Sequence, residues 1–277
     1  PAAPPDYSSE PWYSAPLPKL EPKSLAQAKR KFRPRLGLVV ATSVELTAAL
    51  RLFKPAADLR QVWQVAHGNE TYYLGRFGAF QTVLTLCTMG SQGASGSTLA
   101  SEALIQTWNP AAIVLAGIAF GIDPKKHLAG DVLVAQGLIP YESQRHGKKI
   151  LFRSPSPPSS DALLNRFRNA PQWDFKRPDG TKCNVHIGHM LSGEKLIDNR
   201  QAKQRLVECF PVAIGGEMEG AGLWAAATRH RKDWLVVKAV CDWAERKDDH
   251  YQPLAAAAAF SLCEHVFRNC HALDGIP

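Results

Sequence analysis

Three carboxylates stand where apolar runs give way to helix-like or loop-like sequence: Glu45 after LGLVVATSV, Glu219 inside GEMEGAG, and Asp242 directly after WLVVKAVC. Ligands of open α/β sheets gather at the carboxyl ends of strands, so these are positions where a carboxyl group could give or take a proton. Spacing alone leaves a local reading open for each: Glu45 as a first-turn helix charge, Glu219 as a cap or surface group, Asp242 as a turn residue. GSQGASG, at residues 90–96, could hold an anion on its backbone N–H groups or be ordinary turn chemistry. His186 and His189 lie three apart in an apolar run with no carboxylate or Cys at metal spacing, so satisfied histidines fit better than metal ligands. A Ser/His/Asp hydrolase would need a G-x-S-x-G elbow, and the chain has none.

Such groups need a scaffold, and the chain reads as one. LGLVVA, residues 36–41, is a continuous apolar run of the kind buried in a sheet, and a helical stretch opens at Ser43 and ends near Phe53. Residues 71–74 and 82–87 predict an antiparallel pair. A helix runs from the Gly-rich turn through Trp108 and stops at Asn109-Pro110; strands follow at 111–117 and 131–139. Residues 145–179, rich in Pro and cations, predict a long, mobile surface excursion. Beyond them come a strand at 185–193, a helix at 199–209, a helix carrying GEMEGAGLWAAATR, a strand WLVVKAVCDW and a closing Ala-rich helix to Phe267. This alternation indicates an α/β fold around a largely buried mixed sheet, and no repeat of fixed period interrupts it.

The 277 residues suit one large or two small domains, and 45% hydrophobic residues suffice for a real core. Thirty-three Lys and Arg against 25 Asp and Glu leave a net charge of +8, yet no motif interleaves aromatics with cations as nucleic-acid binders do. The six cysteines form no C-x-x-C pair, so a reducing compartment, the cytoplasm, is expected rather than a disulfide scaffold or zinc site. No apolar stretch approaches the roughly 20 residues of a membrane span, and no signal peptide is visible. Residues 1–35 are expected to be a Pro-rich linker and a basic connector, with the domain proper at 36–277.

Five segments carry a resemblance. GLVVATSVEL, AGIAFGID, LSGEKLID, GGEMEGAGL and VVKAVCDWAE occur in the order and roughly the spacing of the purine nucleoside phosphorylase and nucleosidase superfamily. Residues 36–267 most resemble its 5′-methylthioadenosine/S-adenosylhomocysteine nucleosidase branch. The resemblance implies a three-layer α/β fold with a partly barrel-like mixed sheet flanked by helices. It also implies a homo-oligomer, dimeric or higher, and chemistry that needs no metal or other cofactor.

By that resemblance Asp242, in the family's S-D-x-A-D position, would protonate or hydrogen-bond N7 of a purine, which near pH 7 requires burial to raise its carboxyl. Glu45, at the last Glu of G-A-M-E-E-E, would hold or deprotonate the attacking water. Glu219 would accept the ribose hydroxyls and Met218 pack on the sugar, with Glu217 beside them. Leu196 and Ile197 would form the base wall, Leu196 standing where the family has an aromatic ring. Cys241 replaces the Ser of S-D. Ala119, Phe120 and Gly121 occupy the T-G-S-A-G-G region, with bulkier residues than the family's. The phosphorylase branch carries G-D-P-x-R after its first strand, with an Arg that clamps phosphate; this chain reads ATSVEL there, which favours water.

The segments GEKLID and CDWAERKDDHYQPLAAAA look closest to nucleosidase modules fused to sensors in defence and signalling proteins, some of which cleave adenine from ATP. That implies an upstream sensor domain, and Lys195, Arg145 and Arg246, with Lys148, Lys149 and Lys247 nearby in sequence, as candidates to hold a 5′-triphosphate. The alternatives are a methylthioadenosine or adenosylhomocysteine nucleosidase, whose 5′ pocket would be apolar, a phosphorylase, and an inactive nucleotide-binding module.

Overall fold

The computed structural model describes residues 6–146, 150–153, 155–195, 197, 199–244 and 249–277, with only the backbone described at 145–146 and 150–152. The strands are β1 (Leu20–Pro22), β2 (Leu36–Val40), β3 (Val62–His67), β4 (Glu70–Phe77), β5 (Phe80–Leu86), β6 (Ala112–Gly121), β7 (Val132–Pro140), β8 (Gln144–His146), β9 (Ile150–Phe152), β10 (Val185–Ser192), β11 (Ala213–Glu217) and β12 (Asp233–Asp242). The helices are α1 (Pro11–Ser14), α2 (Leu25–Lys31), α3 (Ser43–Leu52), α4 (Ser97–Trp108), α5 (Asp161–Arg168), α6 (Arg200–Cys209), α7 (Gly220–Arg229) and α8 (Gln252–Phe267).

Ten strands follow the order β1-β3-β4-β5-β2-β6-β11-β10-β7-β12, and β12 returns to pair with β6. The five strands β6, β11, β10, β7 and β12 thus close into a barrel, and β2, β5, β4, β3 and β1 extend from it as an open wing. β6 runs parallel to both β2 and β12, so Ile113, Val114 and Leu115 have backbone partners on each side. Pure apolar sequence fits this position, since a strand covered on both faces has no need of alternation. Two core clusters fill the faces: one joins α3 and α8 to the sheet through Leu38, Val114, Val237 and Phe260, the other joins α4 and α7 through Val39, Leu104, Leu115 and Leu223.

Local chemistry sets the ends of the elements. Thr42 caps α3 by accepting the Glu45 N–H, and the Glu45 carboxylate accepts the Thr42 N–H in return, a complete capping box. α4 stops at Asn109, which adopts the left-handed conformation at φ 48° before Pro110. β4 and β5 form the expected antiparallel pair, joined tightly at Gly78, whose φ is +58°. β11 extends through Glu217, so the residues GE of GEMEGAG lie on a strand and the helix begins only at Gly220.

Two expectations need correction. Residues 6–35 are not a loose connector: β1 pairs in parallel with β3, α2 is capped by Ser24, and Tyr7, Ala28 and Phe32 are buried. Trp12 packs on Phe175, and the Arg51 guanidinium lies over the Tyr13 ring. Within the segment expected as a mobile excursion at 145–179, residues 161–175 are likewise packed, because α5 buries Leu163, Leu164 and Phe167, and Trp173 stacks on Phe175 inside the same core. Among the described residues no helix is long and apolar enough to cross a membrane.

Candidate active site

One cleft of about 670 Å³, counting its open mouth, lies where the carboxyl ends of β2, β6, β11 and β12 meet. It is lined by Glu45, Ala119, Phe120, Lys195, Ile197, Glu217, Met218, Glu219, Cys241 and Asp242, so most of the residues named from sequence come together. Ala41, Thr42, Met89, Ile118, Gly216, Lys238 and Gln252 complete the lining. Gly121 does not share the cleft lining; a Cβ there would press on Val240 and His127. Leu196, Arg246, Lys247, Lys148 and Lys149 lie outside the described residues, as does the side chain of Arg145.

Glu45 is fully buried, and donors meet both of its oxygens. Oε2 accepts the N–H groups of Ala41 and Thr42 at 2.7 and 2.9 Å; Oε1 accepts the Ile118 N–H at 2.7 Å and the Lys238 ammonium at 3.2 Å. The carboxylate therefore ties the start of α3 to β6. Gly117 makes room for it, since a Cβ at that position would overlap the carboxylate.

Glu219 is the N-cap residue of α7. Its Oε1 accepts the Gly90 N–H at 3.0 Å and its Oε2 the Lys238 ammonium at 3.2 Å. Lys238, on β12 and 1% exposed, is thus shared by the two carboxylates. Burial acts to strip its proton, but the surrounding Glu45, Glu219 and Glu217 more than compensate and hold the ammonium charged, above the usual lysine range.

Glu217 differs from both. Its Oε2 accepts the N–H groups of Glu219 and Gly220 at 2.8 and 2.7 Å, while its Oε1 is buried without a hydrogen-bond partner among the described residues. Burial first, then the charge of Glu219, pushes its carboxyl up to about 7, against the opposing pull of Lys238.

Asp242, at the end of β12, is only half-buried, so the burial expected of it is not supplied by the strand before it. Its Oδ1 accepts the Ala244 N–H at 2.8 Å, and the Cys241 thiol lies 3.2 Å from Oδ2. Across the cleft, Lys195 is exposed and 3.7 Å from Glu142. Two N–H groups of the Gly-rich turn meet carboxylates of the chain itself: Gly90 meets Glu219 and Ser91 meets Glu194. His186 Nε2 lies 3.2 Å from Asp131 Oδ2. No group of three or more His, Cys, Asp or Glu is placed to hold a metal ion among the described residues.

Sequence reasoning missed Lys238. The signal was there, a single lysine inside the apolar run WLVVKAVC, because a cation in a buried strand requires carboxylates around it. Gln252, at the start of α8, and Met89 had no comparable signal.

A family model described as the phosphorylase superfamily matches residues 35–267. A death domain-containing ATP nucleosidase of the sponge Amphimedon queenslandica is 29% identical over 258 residues, covering 86% of this chain but 48% of that protein, so the chain spans about half of it. A 5′-methylthioadenosine/S-adenosylhomocysteine nucleosidase of Staphylococcus epidermidis is 24% identical, over 83% of this chain and 96% of that one. Among solved structures, the Neisseria meningitidis 5′-methylthioadenosine/S-adenosylhomocysteine nucleosidase in complex with methylthio-immucillin-A superposes with a TM-score of 0.70 at 18% identity, over 84% of this chain and 98% of that one. With a barrel closed by β6 and β12 and a family match over most of its length, the chain belongs to the phosphorylase superfamily.

Proposed function

We propose that the chain hydrolyses the N-glycosidic bond between adenine and ribose, with an adenine nucleotide, ATP first, as substrate. The observation that carries this reading is the placement of Asp242 in one cleft with the Glu45–Lys238–Glu219 network. Asp242 gives a proton to N7 as the C–N bond breaks and its electron pair passes to the purine, so that adenine leaves neutral. Glu219 accepts the ribose hydroxyls, Met218 packs on the sugar, and Ile197 and Phe120 face the base. Glu45 holds the attacking water, whose oxygen joins C1′. The water's proton passes to Oε1 of Glu45 as the Lys238 ammonium, the one side-chain donor among the four that meet this carboxylate, yields its place there. No cofactor takes part in these steps.

Water rather than phosphate as nucleophile is supported by the Gly90–Ser91 turn, whose N–H groups already serve Glu219 and Glu194. Lys195, together with Arg145 and Arg246, is proposed to receive the 5′-phosphates. In this reading the domain is the effector module of a larger defence or signalling protein and works as a homo-oligomer; the sponge relative, twice as long and named for its death domain and ATP nucleosidase activity, supports it. The second reading, a methylthioadenosine or adenosylhomocysteine nucleosidase, is favoured by the apolar wall of Met89, Ile118, Ala119 and Phe120.

The test is chromatography of products after incubation with ATP, AMP, adenosine, methylthioadenosine and adenosylhomocysteine, each with and without inorganic phosphate. Adenine released from ATP without phosphate is expected. Release confined to the thio-nucleosides selects the second reading, and a phosphate requirement overturns hydrolysis.

A further inference from the structure

At the buried end of the cleft three carboxyls, Glu45, Glu217 and Glu219, surround one buried ammonium, that of Lys238. Glu45 meets four donors and Glu219 meets a backbone N–H and the ammonium, so each of their oxygens has at least one donor. Glu217 has N–H donors on Oε2 alone. Its Oε2 faces two N–H groups and must act as an acceptor, while Oε1 lies against the Gly220 Cα and the Leu138 side chain: a Cβ at Gly220 would meet Oε1 at 2.6 Å and Leu138 at 3.1 Å. A bare negative oxygen in that apolar corner, 5% exposed at the residue level, costs far more than a neutral hydroxyl.

The groups packed around Glu217 pull in opposite directions. Burial and the like charge of Glu219 on α7 favour the neutral acid; the Lys238 ammonium, the Ser192 hydroxyl on β10 and the Glu219 N–H favour the anion, and the first two prevail. Tyr141, just past β7, is itself pushed up to about 12, by burial first, and so adds no positive charge. The buried cation, Lys238 on β12, is already bonded to Glu45 of α3 and to Glu219. With Glu217 neutral, the Glu45, Glu219 and Lys238 set carries one net negative charge; with it ionised, a second is added and competes for the same ammonium.

We propose that Glu217 works as a neutral carboxylic acid with its proton on Oε1, and that this proton leaves Lys238 to Glu45 and Glu219 alone. Glu217 is then a positioning residue that acts through Glu219, because its other oxygen holds the Glu219 and Gly220 N–H groups and so fixes the start of α7. Loss of the proton on the alkaline side draws Lys238 away from Glu45 and pushes Glu219 from the sugar. This rests on the nucleosidase reading above for its effect on turnover, and on geometry alone for the protonation state.

Two measurements on the whole chain test it. In protein labelled with carbon-13 at the glutamate carboxyls, one resonance is expected to titrate near neutrality and to vanish in both Glu217→Gln and Glu217→Asp, the second variant securing the assignment if the first fails to fold. The alkaline fall of kcat/KM on the adenine substrate is expected to move up by about one pH unit or more in Glu217→Gln, an outcome that a purely structural role would not give. A set of glutamates that all titrate below about pH 6 overturns the proposal, as does an alkaline limb that stays in place in Glu217→Gln. The spectra decide the protonation state even if no substrate turns over, which separates this inference from the failure of the proposed function.

Discussion

Lys238 is the residue on which the cleft depends most heavily. Replacing it by Met leaves Glu45 and Glu219 facing each other without the ammonium that both contact at 3.2 Å, and breaking a buried pair in this way costs on the order of 3–5 kcal/mol. Lys238→Met is therefore expected to lower the thermal midpoint by several degrees, measured by calorimetry, and to abolish adenine release. Asp242→Asn removes the proposed acid but no buried ion pair, so its expected signature is different: adenine release falls about 10²- to 10⁴-fold while the melting temperature stays near that of the parent. If Asp242→Asn releases adenine at the parent rate, the N7 assignment is wrong. Glu217 carries a pH dependence of stability as well. Its carboxyl is raised from the ordinary glutamate value to about 7 in the folded chain, so the unfolded chain gives up its proton first as pH rises. The stabilisation is whole below pH 4.5 and declines as pH climbs through 7. In Glu217→Gln that decline is expected to be absent from urea midpoints measured between pH 5 and 8. At this scale the sequence was informative where a residue type stood in a recognised motif, as with Glu45, Glu219 and Asp242. It was silent on which carboxyl would keep a proton, because that is decided by donors from β6, α7 and β12 that converge only in the fold.

The elements that present these residues are anchored away from the cleft. Asp131, at the entrance to β7, is buried. Burial opposes its ionisation, but hydrogen bonds from His186, Asn184 N–H and Leu128 N–H, followed by the charge of Arg177, hold its carboxyl below the usual aspartate range. The stabilisation from Asp131 is present above about pH 4 and lost as pH falls through its depressed folded value. Arg177, at 2.5 Å from Asp131 and with a side chain only 9% exposed, comes from the segment that sequence reads as a mobile excursion. Arg177→Met is expected to cost about 3–5 kcal/mol at pH 7 in urea unfolding, with the gap to the parent narrowing below pH 4. Gly117→Ala gives a sharper test of the α3–β6 junction: the added methyl overlaps the Glu45 carboxylate, so both stability and turnover are expected to fall together. Helix ends were legible at Ser43, where α3 opens, and at Asn109-Pro110, while the Thr42 and Glu45 box that fixes the first emerged only in the fold. α5 was not, because the short amphipathic run DALLNRFR is flanked by SPSPPSS and PQW, whose turn residues dominate any local reading.

On the scale of the whole molecule, the barrel and its wing are unequal. Alternating apolar and helical stretches made the α/β class and the mixed sheet readable, since that pattern reflects burial on both faces. Residues 6–35 were misread because Pro-rich composition describes local stiffness and says nothing of the Trp63 and Phe175 surfaces that receive them. Removing residues 6–22 is expected to lower the thermal midpoint, since it strips the outermost strand and uncovers Trp63, whose indole N–H is held by Glu21. Truncation with no change in stability would show that the segment only rests on the surface. β6 stands at the other extreme. From residue 112 to 115 it has β2 on one side and β12 on the other, and it is the strand at which wing and barrel are joined. Successive amides of β6 point alternately to its two neighbours, so Val114 and Leu115 report on opposite sides, and if wing and barrel open only together both amides should exchange in deuterium at one slow rate, that of global unfolding. The amides of β1 should exchange orders of magnitude sooner.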